Sequence, residues 1–161
     1  MCRLIQIKTP LRSTIFALVI LAFFEQAVAQ VIDGPDASGE ITTLVPAHLQ
    51  MHFAGNVDFS STGKCKNEDT SIIGAKLTYT VSKFDQNTNE WTLVHTRSSD
   101  MALISPGAEA TLTAPTDTKP LAVGSYRIVG DVEAWFVDLQ GQTISNPTLV
   151  KRKTNHFFIM P

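Results

Sequence analysis

The sequence predicts an all-β domain in which two antiparallel sheets pack face to face, and three observations predict it. Apolar and polar residues alternate with a period of two over several stretches. Clusters of Gly, Pro, Asn, Asp and Ser punctuate the intervals between those stretches. Nothing after residue 30 has convincing helical periodicity. About six to eight short strands in roughly 120 residues is the pattern a sandwich leaves in sequence.

The first thirty residues set the compartment. Arg3, Lys8 and Arg12 make a basic start, Ile15 to Phe24 is unbroken apolar sequence, and Ala27-Val28-Ala29 is a small-x-small site. This reads as a signal peptide over residues 1–29, cleaved before Gln30, so a secreted or periplasmic protein is expected. An uncleaved anchor is the competing reading, but an apolar run of that length falls short of the roughly 20 residues a bilayer needs. Cys2 precedes the apolar run, so no lipid anchor is expected, and no second long apolar segment follows.

Removing residues 1–29 leaves 132 of the 161 residues, the size of one domain with one core. Those residues carry ten basic and fourteen acidic side chains, a formal charge of −4 that argues against nucleic acid as partner. Lys151-Arg152-Lys153, the one basic cluster, reads as a solvated loop. Cys65 is the only cysteine after the leader, so no disulfide within the chain is expected. Its neighbours Lys64 and Lys66 favour a thiolate, which leaves a reactive thiol and a Cys65-linked dimer as expectations to set beside an idle loop cysteine.

Along the chain, residues 30–40 read as a flexible lead-in, with the domain over 41–161. From His48, Leu49, Met51 and Phe53 alternate with His48, Gln50 and His52, the signature of a half-buried strand. Residues 54–71 read as a long, flexible surface connection containing Cys65. Ile72 to Phe84 predicts a central strand with Leu77, Tyr79 and Val81 on one face. A polar turn over Asp85 to Glu90 leads into Trp91 to Arg97, with Trp91, Leu93 and His95 sharing a face, which reads as a hairpin. Ala108 to Ala114 is a short alternating stretch. Tyr126 to Val137 is the most regular strand. Tyr126, Ile128, Val132, Ala134 and Phe136 point one way, Arg127, Asp131, Glu133 and Trp135 the other, and Gly130 marks a bulge or a close backbone approach. Asn155 to Met160 supplies the last strand.

Several of these residues carry a family resemblance. Leu121-Ala122-Val123-Gly124-Ser125-Tyr126 resembles the L-x-x-G-x-Y corner that opens a late strand of immunoglobulin-like sandwiches, which implies a structural role for Leu121, Gly124 and Tyr126, with the tyrosine hydroxyl bonded to upstream backbone. Val45 to Phe53 with Val57-Asp58 is similar to the opening of bacterial Ig-like domains, and Val137-Asp138-Leu139-Gln140-Gly141 to their closing D-x-x-G turn. The resemblance spans residues 41–161 and implies an adhesive, spacer or surface-layer module. Gly74-Ala75-Lys76-Leu77 together with the same corner also resembles the periplasmic copper-resistance chaperones. That family places metal-binding histidines at its mature N-terminus and near its end, where this chain has Gln30 and Asp138-Leu139-Gln140.

The candidate chemistry is sparse. His48 and His52 share a strand face but lie about 13 Å apart in extended chain, so either needs His95 or His156 from another strand to complete a metal site. Asp85-x-Asn87-x-Asn89 has the first half of a calcium-loop spacing but Glu90 and Thr96 where the glycine and the bidentate carboxylate belong, which leaves a plain turn. Asp131, Glu133 and Trp135 form an outward stripe that reads as a ligand platform, carbohydrate included, or as a solvated face. No nucleophile stands beside a base in any known signature, so no enzyme activity and no cofactor are expected. The resulting expectation is an exported, non-catalytic Ig-like module that binds a protein or carbohydrate. A periplasmic metal carrier is the alternative.

Overall fold

The computed structural model describes residues 33–161, and the expected signal peptide and the first residues of the lead-in lie outside them. Nine strands form two sheets: β1 (Ala37–Val45), β2 (Gln50–Phe53), β3 (Gly55–Asn67), β4 (Ile73–Asp85), β5 (Glu90–Ser98), β6 (Ala102–Ile104), β7 (Glu109–Leu121), β8 (Gly124–Phe136) and β9 (Thr148–Met160). The smaller sheet runs β1-β3-β7. The larger has six strands in the order β2-β9-β8-β4-β5, with β6 on β4. Neighbours are antiparallel except β2, which lies parallel to β9. The chain therefore crosses between layers after β1, after β2, after β3, around β6 and β7, and again after β7. This is the antiparallel sandwich that the alternation predicts and of the immunoglobulin-like kind that the resemblance implies.

β4 and β8 form the centre of the large sheet for the reason the sequence suggests. Their inward residues are large and apolar, and Leu77, Tyr79, Val81, Ile128 and Val132 are fully buried. Phe157 and Ile159 of β9 join them. Tyr126 donates its hydroxyl to the Ala122 carbonyl at 2.8 Å, closing the corner as expected. Gly124 holds φ at 152°, where a side chain would be strained, and a Cβ there would meet the Lys83 side chain at 2.8 Å.

The small sheet departs from expectation. Residues 55–67 are its middle strand, and Val57, Phe59, Ser61, Gly63, Cys65 and Asn67 all face inward and are buried. Three of these inward residues are small because the sheets come close at that point. A Cβ on Gly63 would lie 2.7 Å from the Glu40 carbonyl oxygen and 3.4 Å from Val132. Opposite, a Cβ on Gly130 would lie 3.2 Å from Ile41 and from Leu44 and 3.5 Å from the Ser61 hydroxyl. Gly130 is the close approach, and Ile41 and Leu44 fill the space that larger residues of β3 would otherwise take.

Four boundaries also differ. Order in strand form starts at Ala37, within the expected lead-in, because β1 pairs with β3 from Ala37↔Asn67 onward. The strand expected from His48 is only four residues long, and Leu49, Met51 and Phe53 point away from the core. The alternating stretch at Ala108 extends through Pro115 and Pro120 to Leu121, since β7 is an edge strand and its prolines need no partner on the outer side. Lys151, Arg152 and Lys153 are not a loop. They lie in β9, exposed, opposite Val132, Asp131 and Gly130 of β8.

Two buried asparagines organise the crossings. Asn155 donates through Nδ2 to the carbonyls of Leu44 (2.9 Å) and Pro46 (3.0 Å), where the chain leaves β1 for β2. Asn67 donates to the carbonyls of Ser71 and Ile104 at 2.8 and 2.9 Å and accepts from the Asp69 amide at 2.9 Å, which satisfies the end of β3.

Candidate binding face of the large sheet

The outer face of the large sheet collects aromatic and cationic groups near its β5 and β2 edges. Register explains how. Ser82, Arg127 and His156 lie side by side on β4, β8 and β9, and Trp91 pairs with Phe84 one step along. The small Ser82 lets Trp91 reach across β4, so that the Arg127 guanidinium carbon lies 4.5 Å from the indole centroid. The Trp91 ring also stands 5.2 Å from Phe84 and 5.6 Å from His156. His48 follows, its ring 6.0 Å from that of His156, and its Nδ1 accepts the His156 amide at 3.2 Å. That acceptance leaves the Nδ1 lone pair used and the Nε2 edge of His48 free to donate.

Arg127 is half-buried; its Nε is closed off from solvent without a hydrogen-bond partner among the described residues, which leaves the terminal guanidinium nitrogens as the side that can meet a ligand. Arg152, by contrast, holds Asp131 through two bonds of 2.7 and 2.8 Å. A guanidinium fixed under an indole with part of its donor set unused is suited to an incoming acceptor, a carboxylate above all. Beside this slot lies an apolar strip: Leu49, Met51 and Phe53 are 59%, 64% and 74% exposed, and Phe158, opposite Met51 on β9, is 38% exposed.

The residues predicted from sequence are distributed differently. Asp131, Glu133 and Trp135 do share the outer face, but they are no aromatic platform. Trp135 is buried over Gly74, where a Cβ would meet its Nε1 at 2.6 Å, and Asp131 is occupied by Arg152. Glu133 stands between Lys76 and Leu149 in the register.

His48, His52 and His95 do not converge. His52 lies against Phe157 with ring centroids 6.2 Å apart. His95 is turned inward at the opposite edge, because a bulge sets it opposite Val81 while Leu93 stands opposite Ser82. Trp91 and Leu93 therefore face outward and His95 inward, and the three do not share a face. Among the described residues no three His, Cys, Asp or Glu side chains gather as a metal site.

His95 instead joins a charge cluster that ties β5 to β7. Its Nε2 lies 3.1 Å from Asp117, which Arg97 (3.1 Å) and Lys119 (3.4 Å) also approach. Burial pushes the His95 pKa down; Asp117 pulls the other way, and Lys119 and Arg97 add to the lowering. Burial alone would raise the Asp117 carboxyl, but hydrogen bonds from Arg97, the Thr118 amide and Lys119 outweigh it and hold the group below its ordinary value. Asp85 accepts the Asn87 amide at 2.8 Å, and Asn89 takes φ of 58°, so this segment is the turn of the β4–β5 hairpin.

Cys65 is fully buried, and burial pushes its thiol up to about 11. The expected thiolate and the Cys65-linked dimer are both corrected by this placement, since the lysines at 64 and 66 point to the other side of β3. Cys65 is expected to resist thiol reagents in the native protein and to react once denaturant is added, as a colorimetric thiol assay would record. Rapid native labelling would contradict the buried position.

The slot around Arg127 was not legible from periodicity alone, which placed Trp91 with Leu93 and His95 on one face. The outward phase of Arg127 was its only trace.

No family model matches the chain, and no curated protein matches it. Solved structures do. A PapD-like domain of human CEP192 is 12% identical at a TM-score of 0.47, over 79% of this chain and 87% of that one. The C-terminal domain of wzt is 12% identical at 0.46, over 79% and 76%. The CARDB domain of the PF1109 protein from Pyrococcus furiosus, solved in complex with di-metal ions, is 16% identical at 0.40, over 80% and 90%. The fold assignment rests on this chain's own strand order and register.

Proposed function

We propose that the chain is an exported, non-catalytic binding module that takes an acidic segment of a protein partner on the outer face of its large sheet. The observation that carries this is Arg127, a half-buried guanidinium held under Trp91 beside His156 with no carboxylate paired to it among the described residues. A carboxylate from the partner fits the terminal nitrogens of that guanidinium. Export is supported by the basic, apolar and small-x-small order of residues 1–29. A non-catalytic role is supported by the burial of Cys65. The carbohydrate reading has a buried Trp135 where it needs an exposed aromatic, and His48, His52 and His95 stand apart among the described residues.

The test is a titration followed by the indole N–H resonance of Trp91. Acetylated tripeptides with a central glutamate between leucines are expected to shift it, and lysine-centred counterparts are not. Arg127→Gln should weaken the acidic peptide about tenfold or more, equivalent to roughly 1.4 kcal/mol. Added salt should weaken it as well. No shift up to about 5 mM peptide, or equal affinity in Arg127→Gln, would rule the reading out.

A further inference from the structure

Five strands border the two sheets; β6 is only three residues long and runs directly into Ser105-Pro106, and three of the other four carry devices that discourage pairing with another chain. β1 has a bulge between Ile41 and Thr43 and an exposed Glu40. β5 has a bulge and an exposed Arg97. β7 contains Pro115 and Pro120, which donate no amide, together with Lys119. β2 has none of these. It reads Gln-Met-His-Phe without lysine, proline or acid, its register with β9 is continuous, and its side away from β9 has no strand. An unguarded apolar edge of this kind is a template for strand addition.

The geometry points to a second copy of this chain as the occupant, joined by antiparallel β2–β2 pairing about a two-fold axis through Met51. Two features suit this edge to a copy of itself. First, a two-fold axis sets like against like, so any charge on the strand would face its own kind. β2 carries no formal charge, whereas Glu40, Arg97 and Lys119 would each bring repulsion to the other edges. Secondly, the strand is complementary to itself. With Met51 opposite Met51 of the other copy, Leu49 falls opposite Phe53 and Gln50 opposite His52, and Phe158 flanks Met51 on each side. The row across the junction then reads Phe158, Met51, Met51, Phe158, all on the outer face. Edge pairing covers only the flanks of Leu49, Met51 and Phe53 that face the junction, since these side chains and Phe158 stay on the outer face, so the interface falls below the roughly 1,000 Å² of a standard specific one. The dimer is accordingly weak, with a dissociation constant of about 10–100 μM. It joins two large sheets edge to edge and sets their two Arg127 slots on one continuous face.

Sedimentation equilibrium of the purified native protein tests this. A monomer–dimer equilibrium is expected, with Met51→Lys and Met51→Glu each weakening association about tenfold or more. Because Met51 meets its own counterpart, an equimolar mixture of the two variants should restore association as a heterodimer, and Arg127→Gln should leave it unchanged. Far-UV circular dichroism of each variant reports whether it is folded, and restoration on mixing itself requires both to be so. A monomer up to about 500 μM, or association that neither variant weakens, would overturn the proposal. So would variants that fail to rescue one another while remaining folded.

Discussion

Phe59→Ala is expected to destabilise the protein by about 3–5 kcal/mol, the cost of emptying a large aromatic site in a packed core. Phe59 is fully buried in the middle of β3, with its ring 6.2 Å from Phe157 of the facing sheet and 6.2 Å from His95. It thus links the small sheet to β9 and β5 at once. Domains of this size have only about 5–15 kcal/mol in total, so the loss takes a large share of the stability. Urea unfolding followed by circular dichroism measures it as a fall in midpoint at unchanged slope. The prediction discriminates sharply, because a phenylalanine in a surface connection would change stability by no more than about 0.5 kcal/mol.

Asn155→Asp is expected to cost about 3–5 kcal/mol at neutral pH, and the cost should shrink in acid. The Asn155 amide donates to two carbonyl oxygens while 6% exposed. An ionised aspartate donates nothing and sets a buried negative charge against the same two oxygens. Its folded pKa must therefore rise above the unfolded value of about 3.9. The folded state then holds the proton more tightly, so the variant is most stable below the unfolded pKa and loses stability as pH rises toward the folded one. Unfolding curves at about pH 4 and pH 7 should diverge from those of the native chain by a larger margin at pH 7. Asn155→Ala, which removes the donors without adding charge, should show a loss independent of pH. A pH-independent loss in Asn155→Asp would mean that position 155 is not held against the two carbonyls.

What sequence revealed, and what it hid, follows from side-chain size. β4 and β8 were legible because most of their inward positions carry large apolar residues, which period two detects. The corner at Tyr126 was legible because glycine, tyrosine and leucine stand at fixed offsets, and its hydroxyl bond is where that spacing implies. β3 was hidden because its inward face uses Ser61, Gly63, Cys65 and Asn67, residues that score as loop. Their smallness is a packing requirement of the close approach near Gly130, and bulk is supplied from β1 instead. β2 misled in the opposite sense. Its apolar alternation is regular, but after the chain changes sheets at Pro46 the apolar phase points outward.

The binding face was hidden by a second local event. Alternation through β5 assumes an unbroken ladder, and the bulge opposite Val81 and Ser82 reverses the phase between Leu93 and His95. Trp91 is thereby separated from His95 and brought over Arg127. Trp135, the exposed aromatic that alternation suggested, is covered because Gly74 beside it leaves room for an indole to lie flat on the sheet. The same sheet face thus has a closed end at Trp135 and Asp131 and an open end at Trp91 and Arg127.

All of this depends on residues 55–67 forming the spine of the small sheet, because without it the large sheet would have no second layer and its two faces would not be distinct. Amide hydrogen exchange read residue by residue tests that claim most directly. The interior amides of β3 should be protected to nearly the same degree as those of β4 and β8, exchanging only through global unfolding. Exchange of residues 57–65 within seconds, while β4 and β8 stay protected, would contradict it.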